Sequence, residues 1–185
     1  MPAPSATWPL DLSVNVSPRQ LMTPGVVTSV ESVIAATRME PTAFVIEVTE
    51  GILSEDGDRA MRLLGDLKKP GVRVALDDFG TGFCSLSYLQ RFPIDIVKID
   101  QSFVSNLGAT PTASAIAESV TNLADLLHRE VRADGVETDR QREEALSIGR
   151  PRAGLPLRPA DEVRCAVRPA ASSRRDRPDS AQTRR

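Results

Sequence analysis

Short apolar runs alternate with amphipathic stretches along most of these 185 residues. Leu10 to Val16, Phe44 to Val48, Val72 to Leu76, Ile94 to Ile99 and the stretch around Val131 are compact and rich in β-branched side chains, which predicts strands. Between them, apolar residues recur at spacings of three and four. Ala60, Met61, Leu63, Leu64 and Leu67 mark one helix that stops before Pro70-Gly71, and Ile116, Val120, Leu123 and Leu127 mark another. Ser17-Pro18-Arg19-Gln20 and Thr138-Asp139-Arg140-Gln141 are capping boxes, the first with proline at the first helical position. Repeated strand–helix alternation predicts parallel strands with helical crossovers. The expected fold is therefore α/β, with about five strand–helix units.

Each strand-like run ends in polar or charged residues. The first carries Asn15, the second Glu47 with Glu50 just beyond it, and the third runs into Asp77-Asp78 and the turn Gly80-Thr81-Gly82. The fourth carries Lys98, and the fifth leads into Asp134-Gly135-Val136-Glu137. In parallel α/β folds the functional site forms where the carboxyl ends of the strands meet. Two adjacent carboxylates repel unless a cation lies between them or one is protonated. Hard oxygen donors suit Mg²⁺ or Mn²⁺. Taken singly, each residue has a plainer reading: a solvated Asp-Asp turn, Asn15 as a turn residue, Lys98 as a snorkelling surface lysine, Glu137 as a first-turn helix residue. Five matching strand ends together predict a metal site.

The runs Ser13-Val-Asn-Val-Ser-Pro-Arg-Gln-Leu, Ile46-Glu-Val-Thr-Glu, Asp77-Asp-Phe-Gly-Thr-Gly-Phe-Cys-Ser-Leu, Val97-Lys-Ile-Asp-Gln-Ser-Phe-Val and Ala133-Asp-Gly-Val-Glu-Thr resemble the motifs of the EAL domain, in that family's order and spacing. The family comprises bacterial cyclic di-GMP phosphodiesterases. The resemblance implies an incomplete TIM-type (β/α) barrel and hydrolysis of cyclic di-GMP to the linear dinucleotide with two Mg²⁺ or Mn²⁺ ions. It also implies roles for single residues. Asn15, Glu47, Asp77 and Asp78 would be metal ligands, and Lys98, Asp134 and Glu137 catalytic groups. Glu50 would anchor the loop after the Asp pair, which also supplies a homodimer contact. Asp-Phe-Gly alone would suggest a protein kinase, but no Gly-rich loop or His-Arg-Asp run accompanies it.

Departures from the family pattern change the expectation for activity. The family's Glu-Ala-Leu strand is missing; Glu144 to Leu146 repeats those letters on a helix after the wrong strand. Asp134 stands where the family has Glu, one methylene longer. His128-Arg-Glu-Val-Arg places charges where a parallel strand is normally buried on both faces. Up to Gly149 there are 13 basic and 21 acidic residues; from Arg150 onward there are 10 arginines against 4 acids, and no Gln-Gly-Tyr motif. One codon choice for Gly149 to Ala160, read after dropping a base, encodes Ala-Asp-His-Gly-Gln-Gly-Tyr-Leu-Phe. The expectation is a frameshift there; the alternative is a basic arm for anionic partners, disfavoured because it lacks aromatic residues for base stacking.

The expected organisation is an unstructured leader at 1–8, a partial EAL domain at 9–149 and an unstructured Arg/Pro-rich tail at 150–185. The expected function is an EAL-type phosphodiesterase by descent with little or no turnover. The alternative is a non-catalytic module that binds cyclic di-GMP or another protein. No signal peptide or membrane-length run is present, so the cytoplasm is the expected location. Cys84 and Cys165 have no metal-ligand spacing, and His128 reads as a residue at a helix carboxyl end.

Overall fold

The structure is a computed structural model that describes residues 11–52, 56–80, 86–148, 158–159 and 163–164; of 86–88 and the last two pairs only the backbone is described. In chain order the elements are β1 (Leu12–Asn15), α1 (Pro18–Leu21), α2 (Val26–Thr37), a 3-10 turn (Pro41–Ala43), β2 (Phe44–Thr49), α3 (Gly57–Lys68) and β3 (Arg73–Phe79). Then come α4 (Leu86–Arg91), β4 (Ile96–Ile99), α5 (Gln101–Val104), α6 (Pro111–Leu126), β5 (Glu130–Ala133), α7 (Asp139–Ile148), β6 (Arg158–Pro159) and β7 (Val163–Arg164). All strand pairs are parallel, in the order β6-β5-β4-β3-β2-β1-β7. The expected α/β architecture is present, and the sheet is not closed.

The predicted helices form for the predicted reasons. Ser17 Oγ accepts the Gln20 amide and Gln20 Oε1 accepts the Ser17 amide, a reciprocal capping box. Thr138 and Gln141 repeat it at α7, where Gln141 Oε1 also accepts the Glu137 amide. Asp56 and Thr110 cap α3 and α6. In α6 the fully buried row is small, with Ala113, Ala117, Val120 and Ala124 facing the sheet, while Ile116, Leu123 and Leu127 are only partly buried. Alanines let the helix lie close to the strands, a preference that hydrophobic spacing alone does not reveal.

The sheet has two different faces. Phe44, Ile46, Val48, Val74, Leu76, Val97, Ile99, Val131 and Ala133 point outward into one large core shared with the helices. The alternate residues point the other way, because successive side chains on a strand face opposite sides. On that inner face Val45, Ala75 and Ile96 form a separate apolar cluster, while Ser13, Glu47, Asp77, Lys98 and Arg132 are buried polar residues.

That face is concave. β6 and β7 lie at opposite ends of the strand order, yet only residues 160–162 separate them. In a flat sheet, six spacings of about 4.8 Å would set them about 29 Å apart. Four Cα steps reach about 14 Å at most. The sheet must therefore curl towards a barrel, and its open edges are β6 and β7 rather than β5 and β1. The expectations for the leader, the frameshift and the tail fall otherwise on residues outside the described set.

Ala75 is 1 % exposed between Val45 and Ile96. Replacing it with Leu is expected to overpack the inner face and destabilise the chain by about 1–3 kcal/mol. Urea unfolding measures this; an unchanged midpoint would mean that the inner face is open rather than filled.

Candidate active site

Strand parity and a bulge assemble the site. Between β3 and β4 the pairing runs Leu76 with Val97 and then Phe79 with Ile99. Two residues, Asp77 and Asp78, therefore stand opposite one, Lys98. This is a β-bulge, which locally bends a strand and re-aims its side chains. Asp78 takes the left-handed conformation with φ of 57°, which Asp tolerates better than most residues. The sequence places the Asp pair at the end of the strand, and the plainer reading makes it a solvated turn. It lies inside β3 instead, because the bulge accommodates the extra residue without ending the pairing.

Lys98 is the centre of the site. Its side chain is fully buried, and Nζ lies 2.5 Å from Glu47 Oε1, 3.0 Å from Asp134 Oδ2 and 3.3 Å from Asp77 Oδ1. The snorkelling reading is excluded by that burial. Burial by itself would lower the ammonium pKa; hydrogen bonding to Glu47 and the charges of Asp134, Asp77 and Glu47 outweigh it and raise the pKa. These carboxylates therefore favour the ammonium form of Lys98.

The remaining residues surround this cluster unequally. Asp78 is exposed, and its amide donates to Asp77 Oδ1 at 3.1 Å. Its carboxyl pKa is raised by partial burial, then by the charge of Asp77 and by Asp100, with Lys98 pulling the other way. Asp100 moves in the opposite direction, chiefly through its hydrogen bond with the Ser102 side chain. Asn15 is level with Glu47 in the ladder and exposed. Glu50 Oε1 accepts the Gly80 amide at 3.1 Å, at the start of the loop after the Asp pair. Loop residues 81–85, including Cys84, lie outside the described set, as does any dimer contact they make. Glu137 is exposed and takes no part in the described ion pairs around Lys98.

Asp100 is the functional candidate that the strand-end reading passed over. It lies two residues beyond Lys98, on the same face by strand parity, and its charge is one of those that raise the Asp78 pKa. The Lys98–Asp100 spacing was the available signal.

The donor set fits a hard divalent cation by chemistry: Glu47, Asp77, Asp78 and Asp134 outnumber the one buried ammonium, and all offer oxygen. Yet no group of three acidic, thiol or imidazole side chains stands ready to hold an ion among the described residues. Lys98 Nζ occupies the point on which three of the carboxylates converge. A bound ion on the Asp77–Asp78 side would share those oxygens with the lysine. Replacing Lys98 with Met is expected to cost about 3–5 kcal/mol by leaving buried carboxylates uncompensated. Mn²⁺ should recover part of that loss in urea unfolding, and equal stability with and without Mn²⁺ would argue against cation binding at this cluster.

Comparison with known proteins places this geometry. The model of the EAL domain matches residues 4–151. An uncharacterized signaling protein of Caulobacter vibrioides is 47% identical over 141 residues, covering 75% of this chain and 17% of the relative. The bifunctional diguanylate cyclase/cyclic di-GMP phosphodiesterase MucR of Pseudomonas aeruginosa is 35% identical over 144 residues, covering 78% and 21%. The chain thus spans about a fifth of the length of these curated relatives. Among solved structures, the EAL domain of Mycobacterium smegmatis DcpA aligns with a TM-score of 0.71 at 39% identity, covering 75% of this chain and 62% of that one. Klebsiella pneumoniae BlrP1, in a manganese/cyclic di-GMP complex, aligns with a TM-score of 0.69 at 33% identity, covering 75% and 36%.

Proposed function

Because the chain belongs to the EAL domain family, we propose that its strand-end cluster is the site of metal-dependent cyclic di-GMP chemistry, and that these 185 residues assayed alone turn the dinucleotide over negligibly. The observation that carries the first half is Lys98 among Glu47, Asp77 and Asp134 at the carboxyl ends of parallel strands. MucR, a cyclic di-GMP phosphodiesterase, and BlrP1, solved with cyclic di-GMP bound, support the substrate class.

Asn15, Glu47, Asp77 and Asp78 would hold divalent ions, Mg²⁺ or Mn²⁺. Such ions polarise a phosphodiester and lower the pKa of bound water. Lys98, held cationic by its three carboxylates, offers positive charge where negative charge accumulates on the phosphate oxygens. Asp134 would take the proton from the attacking water, and the leaving ribose oxygen would take one from solvent water as its bond to phosphorus breaks, the hydroxide so formed being neutralised by the proton that Asp134 releases. Glu50, bonded to the Gly80 amide, fixes the entry to the loop that follows Asp78. Glu137 would act from the exposed rim. No described helix is long and apolar enough to cross a membrane, and the cytoplasm, where a nucleotide second messenger acts, is the proposed location. A homodimer through the loop after Asp78 belongs to the same reading.

Negligible turnover follows from the residues. Among the described residues the Glu-Ala-Leu run lies on α7, at Glu144 to Leu146, the sequence has no Gln-Gly-Tyr run, and Asp134 is one methylene shorter than the family's Glu. A carboxylate withdrawn by one methylene misses the half-ångström tolerance of a catalytic site. Asp134 instead lies against Lys98. That contact favours a second reading, binding of cyclic di-GMP without hydrolysis.

Purified chain with Mn²⁺ and cyclic di-GMP is expected to show binding by calorimetry and no linear dinucleotide by chromatography. Asp77→Asn should reduce that binding at least tenfold, within the 10–100-fold range for disturbed metal sites. Enzymic release of linear dinucleotide that Asp77→Asn abolishes would overturn the inactive reading. Absence of any binding would overturn both.

A further inference from the structure

A second charged cluster occupies the inner face at the starts of the strands. Asp11, just before β1, pairs through Oδ1 with Arg73 at 2.5 Å and through Oδ2 with Arg132 at 2.6 Å. Glu130 pairs through Oε2 with Arg73 at 3.3 Å and through Oε1 with Arg132 at 3.0 Å. The four side chains close a ring in which each carboxylate divides its two oxygens between the two guanidiniums. Arg73 Nε also donates to the Thr42 carbonyl at 2.6 Å. The ring draws on β1, β3 and β5, the alternate strands that supply one interior layer in a barrel. It answers the charges of Glu130 and Arg132 that the sequence placed in a buried strand: they face inward and neutralise each other.

The ring bears on the site because Arg132 and Lys98 are direct neighbours. They are register partners on β5 and β4 and share the inner face. The two cations diverge. Lys98 leans to Glu47, Asp77 and Asp134, and Arg132 leans the opposite way to Asp11 and Glu130. Asp134 lies two residues along from Arg132, on the same face by strand parity. An Arg side chain reaches that far. The Asp11 and Glu130 carboxylates hold the guanidinium at the other end, turned away from Asp134.

We propose that Asp11 and Glu130 are positioning residues: they hold the Arg132 guanidinium out of the strand-end carboxylate cluster, so that the cluster keeps the excess negative charge that a divalent cation needs. The inference rests on the metal reading of that cluster. Asp11 also links the first strand of the curled sheet to the fifth, so the same contact helps set how closely β5 and its Asp134 approach Lys98.

The test uses the full chain and two readouts. Lys98 is one of three lysines, and the other two are partly exposed on α3 and at its end. The buried ammonium therefore gives a distinct slowly exchanging resonance in a lysine-selective nitrogen–proton spectrum. Asp11→Asn is expected to release Arg132 towards Asp134, shift the Lys98 resonance, and weaken Mn²⁺ binding about tenfold, the lower end of the range for residues behind metal ligands. Adding Arg132→Met to Asp11→Asn removes the competing cation and should restore both signals. If Asp11→Asn leaves the resonance in place, or Arg132→Met fails to rescue it, the proposal is overturned. If unaltered chain binds no Mn²⁺, the metal reading fails, and the resonance alone decides whether Asp11 restrains Arg132. Should Asp11→Asn not fold, Glu130→Gln carries the same test through the other carboxylate.

Discussion

A fully buried ammonium cannot remain in a protein interior without several acidic partners, and Lys98 has three. Its desolvation cost is offset by Glu47 of β2, Asp77 of β3 and Asp134 just beyond β5, which reach one point. Each of those carboxylates in turn is tolerated in the interior because the lysine is there. The demand propagates outward. Glu47 must be in register with the inner face of β2, Asp77 must be re-aimed by the bulge opposite Lys98, and β5 must end at Asp134. A slip of one residue in any strand would turn its charged group into the apolar core between sheet and helices.

Curvature is the second constraint. Glu47 and Lys98 lie on strands separated by β3, and a concave inner face brings such side chains together. The linker between β6 and β7 and the ion pair from Asp11 to Arg132 both require that the sheet curl. Charge appears at both ends of the inner face, with Val45, Ala75 and Ile96 between. Between β4 and β5 the two clusters touch, because Lys98 and Arg132 are register partners, and there the direction of the side chains keeps them apart. A buried ion-pair ring adds little net stability compared with well-packed apolar residues. Its value here is directional: it decides where two arginines point.

Membership of the EAL domain family and the geometry of the site are compatible with loss of turnover. The chain holds a charged framework that folds around Lys98. Such a framework can persist because its residues stabilise one another, whatever becomes of the reaction. Among the described residues Lys98 occupies the convergence point, so cation binding and lysine anchoring draw on the same oxygens. Asp77, on the bulge, pairs with Lys98 at 3.3 Å and stands beside the exposed Asp78.

The amino-acid sequence alone determined the strand–helix alternation, the two capping boxes, the helix ends and the convergence of Glu47, Asp77, Lys98 and Asp134. These are local or periodic properties: hydrophobic spacing, cap chemistry and the period-two parity of strands are carried by neighbouring residues. The tertiary structure alone decided that the Asp pair lies within a bulge and that the charge of Asp100 is one of those that raise the Asp78 pKa. It also decided that Glu137 stays on the exposed rim and that Glu130 and Arg132 find Asp11 and Arg73 across the sheet. Each of these depends on pairing register and curvature between residues far apart in the chain. A charged residue in a strand-like run looks misplaced in one dimension, and only the partner brought by the fold shows why it is there.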